Sequence, residues 1–223
     1  MINARIKSLK KDLSSEKLSL EQLFQKHMVD IHSYYFIEVI KDSTIEYKIR
    51  ETVANALGIH INEVLVMGSA KTGYSLSPAK LYQEFDYKFS QSRIKRDKSD
   101  LDIAVISSDL FKDLSKSMYN FTRSFRNKWD NNEYYSGEKL NDFDVDINYK
   151  FYEYHIKGWF RPDFKPRGFE FCVNKSYENL KKDIYDLTGR KLGLAIYSNW
   201  FYFKNYHIEN LARLQIKMKS EIL

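Results

Sequence analysis

The chain has 223 residues, with 36 Lys and Arg against 30 Asp and Glu, a net charge of +6, and 43% apolar and 16% aromatic content. That apolar content excludes an intrinsically disordered chain, and a lone cysteine, Cys172, excludes a disulfide framework or a cysteine-based zinc site. The histidines lack metal-ligand spacing, no apolar run approaches a membrane span and the first residues hold no apolar signal core, so we expect a cytoplasmic protein with no membrane partner.

In chain order, the first clear element is a helix from Leu20. Ser19 and Gln22 form a capping-box pair, and Leu20, Leu23, Phe24, His27, Met28, Ile31 and Tyr35 recur on one face. His27 on that face reads as a satisfied core histidine. A second helix opens near Ser43, carries Ile45, Ile49, Val53 and Ala56, and stops at Gly58. The short apolar run 63–67 then reads as a strand buried on both faces, ending at Gly68-Ser69. A polar stretch over 70–99 follows, with a short helix expected to open at Ser77-Pro78.

A second strand spans 101–106, and behind it an amphipathic helix carries Leu110, Leu114, Met118, Phe121, Phe125 and Trp129 on one side. Residues 143–159 fit a helix better than a strand, although Phe143 to Ile147 also alternates. Residues 168–173 alternate and predict a third strand, a helix starts near Ser176, and 192–197 predicts a fourth strand. The chain closes in a helix with Trp200, Phe203, Leu211, Leu214 and Met218 inward. The expected fold class is α+β, in a single domain over 1–223. Helices occupy 1–58, a sheet core with an inserted loop at 70–99 occupies 59–198, and a helix occupies 199–223.

Two pieces carry chemistry. Asp100 and Asp102 are two apart at the start of a predicted strand, so both face one side while Leu101, Ile103 and Val105 face the other. Two carboxylates placed this way repel each other and lose solvation, and a cation between them removes both penalties. Oxygen-only ligands suit Mg²⁺ or Mn²⁺. The Gly68-Ser69 turn offers close backbone approach and a hydroxyl, as a polyphosphate needs. Together they suit metal-assisted phosphoryl or nucleotidyl transfer.

An apolar strand, Gly-Ser, a spacer and an Asp-x-Asp strand, here Val64 to Ser69 and Ser99 to Val105, resemble the nucleotidyltransferase superfamily with its polymerase-beta-like fold. The likeness is to the stand-alone bacterial members, including enzymes and antitoxin-system proteins of phage defence. It implies a mixed sheet flanked by helices and transfer of a nucleoside monophosphate from a nucleoside triphosphate to a hydroxyl, with pyrophosphate released. It also implies catalytic Asp100 and Asp102 as ligands of Mg²⁺ or Mn²⁺, and Gly68, Ser69 and Lys71 on the substrate phosphates. The acceptor would be a nucleic acid, a protein or a small molecule.

Two departures stand out. The spacer is longer than in minimal members and basic near its end, at Arg93, Lys95, Arg96 and Lys98. The family's third carboxylate is not obvious. Glu170, on the strand expected over 168–173, is the first choice, and Asp144 with Asp146 is the rival pair. Members that lose this group bind without turnover, so the alternative is a non-catalytic, antitoxin-like regulator with a protein partner. Trp159 and Phe160 beside Arg161-Pro162-Asp163 could stack a base, though a structured loop is the simpler reading.

Overall fold

The computed structural model describes residues 2–15, 17–124, 147–166 and 168–220. Helix α1 (Ile2–Ser15) precedes the first helix expected from the sequence. Ile2, Ile6, Leu9 and Leu13 follow at three- and four-residue intervals, and Leu9 and Leu13 are buried. Helix α2 (Leu20–Phe24) opens on Ser19 and Gln22, whose reciprocal hydrogen bonds complete the capping box. It widens into a π-type turn over Gln25–Val29 and breaks; a separate π-type segment, Tyr35–Ile40, follows. The continuous face to Tyr35 is therefore two pieces. His27 is buried with Nε2 2.8 Å from Asp12 Oδ2, a satisfied core histidine.

Helix α3 (Thr44–Leu57) ends at Gly58 as its sequence indicates. Strand β1 (Val64–Met67) leads into short helix α4 (Gly68–Thr72). The spacer holds a helical turn opened by Pro78 and a short helix α5 (Tyr87–Ser92). Strand β2 (Leu101–Ile106) is followed by α6 (Ser108–Phe121), capped by Ser107, whose Oγ accepts the Leu110 N–H. Phe125, Trp129, Asp144 and Asp146 lie outside the described residues.

Helix α7 (Ile147–Ile156) agrees with the helical reading over its own residues, but Trp159, expected on the same helix, lies in a strand, and Phe143 lies outside the described residues. Strand β3 (Trp159–Phe160), helix α8 (Tyr177–Thr188), strand β4 (Leu192–Tyr197) and helix α9 (Trp200–Ser220) complete the chain. Among the described residues the strands form one mixed sheet of order β1-β2-β4-β3. β1 runs antiparallel to β2, β2 parallel to β4, and β4 antiparallel to β3. The α+β class holds.

Other expectations are corrected too. Residues 168–173 form no strand. Phe169 and Phe171 are buried in the core, but the segment docks on α3 instead of a ladder, with the N–H groups of Val173 and Asn174 donated to the Ala56 carbonyl. Alternating burial reports an extended chain, not a paired one. Trp200, expected inward, is 49% exposed, because it starts α9 ahead of the turn where Phe203 enters the core.

The sheet is covered on both faces. Val64, Val66, Leu101, Ile103, Val105 and Ile196 pack with α3, α6, α7 and α8. Met67, Ala104, Ile106 and Tyr197, on the opposite face, pack with Leu9, Leu13, Phe24 and Phe203 of α1, α2 and α9. By period two, Asp102 shares the second face with Ala104 and Ile106. No described helix is long and apolar enough to cross a membrane.

Candidate active site

The sheet register sets the site. In β2, Asp102 pairs with Met67 of β1 on one side and with Gly193 of β4 on the other. After Met67 the chain turns at Gly68 (φ 63), a left-handed conformation that favours glycine. A Cβ on Gly68 would stand 2.2 Å from Asp102 Oδ2, and one on Gly193 2.7 Å from Oδ1. The carboxylate thus fills space that two missing side chains leave open.

Asp102 is exposed toward a cavity of about 670 Å³, yet protein walls close round it at the cavity floor. That enclosure, reinforced by the charge of Asp100, pushes its pKa up to about 7. Burial also raises Asp100. Lys80 and Lys191 oppose the shift at Asp100, and Arg161 and Lys80 oppose it at Asp102. The pair is acidic, and the cations Lys80, Lys191 and Arg161 stand near it.

Gly68 and Ser69 line the same cavity at the head of α4. The spacer folds over it and is tied down by main-chain bonds: Ser75 N–H to the Gln83 carbonyl at 2.8 Å and Phe85 N–H to the Gly73 carbonyl at 2.8 Å. It thereby brings Lys80, Lys88, Arg96 and Lys98 to the cavity wall. Of the basic run near its end, Arg96 and Lys98 line the cavity, and Arg93 and Lys95 do not.

The far end is aromatic. Trp159 stacks on Tyr197 at 5.3 Å and meets Tyr206 edge-on at 4.7 Å. Burial holds His207 down to about 4, so it lines this end as a neutral ring at pH 7. Arg161 lies 5.1 Å from the Trp159 ring centroid and pairs with Asp163 at 3.3 Å.

The residues expected from sequence divide accordingly. Asp100, Asp102, Gly68 and Ser69 come together. Lys71 is not brought to them: it does not line the cavity and sits half-buried near the charges of Glu46, Arg50, Asp30 and Arg5, and burial lowers its pKa. Glu170 is not brought to them either. Its Oε2 accepts the N–H of Tyr177 at 3.2 Å, the first residue of α8. The unforeseen site residues are Lys80, Lys191, Arg161 and Asp163. Arg161 and Asp163 follow the two-residue strand β3, whose Trp-Phe pair was the only signal available.

Among the described residues no three His, Cys, Asp or Glu side chains gather as a metal site. The Asp100–Asp102 pair nonetheless fits Mg²⁺ or Mn²⁺. Both donors are hard oxygens, their mutual repulsion is what a cation relieves, and Mg²⁺ is commonly held by one or two carboxylates with substrate phosphates and water. In comparison with known proteins, no protein family, curated protein or solved structure matches the chain.

Proposed function

We propose that this chain is a metal-dependent nucleotidyltransferase of the polymerase-beta-like type, moving a nucleoside monophosphate from a nucleoside triphosphate to a hydroxyl acceptor. The observation that carries the reading is the sheet register that sets Gly68, at the end of β1, against the Asp102 carboxylate, with Asp100 on the same face. A cavity of about 670 Å³ suits a nucleoside triphosphate, since small-ligand sites run roughly 300–1,000 Å³.

Asp100 and Asp102 would hold Mg²⁺ or Mn²⁺, which when bound neutralises phosphate charge and favours the ionised acceptor hydroxyl. Lys80, Lys191 and Arg161 bring positive charge to the transferring triphosphate. Gly68 and Ser69 border the phosphates, and the aromatic end of the cavity, where Tyr206 is more exposed than the buried Trp159 and Tyr197, would receive the base. An acceptor oxygen forms a bond to the α-phosphorus as the bond to the β-phosphate oxygen breaks. Pyrophosphate leaves, and the hydroxyl proton passes to the water of the open cavity.

A second reading has its own support in Glu170, the expected third carboxylate, which caps α8 instead. It is a non-catalytic, antitoxin-like protein that binds nucleotide or a protein partner on the same fold. The test is transfer of label from [α-³²P]NTP with Mg²⁺ or Mn²⁺ and cell extract. Label should move to an acceptor and be lost in the Asp100→Asn, Asp102→Asn double variant. Equal transfer by that variant overturns the catalytic reading. Nucleotide binding without transfer by the wild-type chain would establish the second.

A further inference from the structure

Asp86 lies mid-spacer with a left-handed backbone (φ 63), a conformation uncommon for non-glycine residues although aspartate adopts it more readily than most. Its surroundings are specific. Oδ1 and Oδ2 accept from the two arms of Arg190 at 2.5 and 2.6 Å. Oδ1 also accepts the Ser99 N–H at 2.8 Å, and the Asp86 N–H donates to Ser99 Oγ at 3.0 Å.

Arg190 is 5% exposed, and its guanidinium lies 5.1 Å from the Tyr35 ring centroid and 5.0 Å from that of Phe85. A guanidinium buried this far is tolerated because a carboxylate meets its fork in parallel. The clamp matters for what comes next in sequence. Asp100 follows Ser99, Lys191 follows Arg190, and the Leu101 N–H donates to the Lys191 carbonyl at 2.8 Å. One carboxylate therefore ties the spacer to the starts of β2 and β4, where an acid and a base of the site are mounted.

We propose that Asp86 and Arg190 are positioning residues that hold Asp100 and Lys191 in the alignment the cation and the phosphates require. This rests on the nucleotidyl-transfer reading for its purpose, though not for its geometry. Neither residue touches the reacting atoms; both act through their neighbours. The fork is specific to arginine, since lysine carries the charge without the paired donors.

The test uses the full chain as wild type, Asp86→Asn, Arg190→Lys and, as a control, Leu180→Ala, which opens the core beneath α8 away from the clamp. Two readouts are taken: amide hydrogen exchange of the metal-free protein, and Mn²⁺ affinity from the free-ion electron paramagnetic resonance signal. Asp86→Asn should speed exchange over 97–101 and 189–193 while the strand centres stay protected, and weaken Mn²⁺ binding about 10- to 100-fold. Leu180→Ala should lower the melting temperature without either effect. Arg190→Lys should lie between wild type and Asp86→Asn, and serves if Asp86→Asn does not fold. Unchanged Mn²⁺ affinity in both clamp variants, or an exchange pattern matching Leu180→Ala, overturns the proposal. A wild-type chain that binds no Mn²⁺ overturns the nucleotidyl-transfer reading instead, and the exchange data still decide whether the clamp orders the two strand starts.

Discussion

At the scale of single residues, Asp102 holds the site's stored electrostatic cost. Metal-free, it keeps its proton to about pH 7, whereas the unfolded carboxyl releases it near its ordinary value of 3.8. Between these values the folded chain binds the extra proton, so stability is present at low pH and falls as pH rises through about 7. Because the carboxylate opens onto water in the cavity, the full shift does not become stability. We expect about 1 kcal/mol, or a drop in melting temperature of roughly 2–4 °C in a chain of this size. Melting curves in EDTA should fall between pH 5 and pH 8 by that amount more in wild type than in Asp102→Asn. Mn²⁺ binds the ionised pair, so its stabilising effect should be larger at pH 8 than at pH 5 and absent in the variant. A wild-type curve parallel to that of Asp102→Asn would remove the strain argument.

At the scale of elements, legibility followed the strength of local signals. β1, β2 and β4 were readable because a strand buried on both faces is a continuous apolar run, and α3 and α8 because a terminal cap or glycine marks their ends. The Asp100–Asp102 pair was legible because side-chain parity on a strand is fixed by geometry, and Gly68 because a glycine marks the turn that ends an apolar run. Helix α1 was not, although its Ile2–Ile6–Leu9–Leu13 stripe was present; lysines between those positions and the lack of a capping signal hid it. β3 was beyond reach, since two residues carry no period. Lys80, Lys191 and Asp163 could not be placed in the site because spacer folding and sheet order bring them there.

Glu170 shows how a correct alternation led to a wrong neighbour. Its flanking phenylalanines are buried, yet its carboxylate faces the first N–H groups of α8, where the helix dipole favours negative charge. Glu170→Gln should therefore cost only about 0.5 kcal/mol of stability and leave label transfer intact. Abolished transfer in a folded Glu170→Gln chain would restore the residue to the chemistry.

At the scale of the whole molecule, the cavity lies between two layers. Asp102, Ala104 and Gly193 of the sheet form one wall, and Met28, His207 and Leu211 beyond α2 and on α9 form another. On the proposed reading, the net charge of +6 is not what would draw a phosphate to the cavity. The floor is acidic, and attraction for a polyanion would come from the lysines and arginines that the spacer, β3 and β4 set around that floor, together with the cation the floor would hold. A nucleotide filling this space touches both layers, so it should couple them. At a hundredfold excess over Kd, MnATP should add about 2.7 kcal/mol, a rise of roughly 5–10 °C in melting temperature. Exchange protection should appear together in β2 and in α9 around residues 206–211. The paired response is the deciding feature: protection confined to the spacer, with α9 unchanged, would mean that nucleotide rests on the basic rim and never enters the cavity.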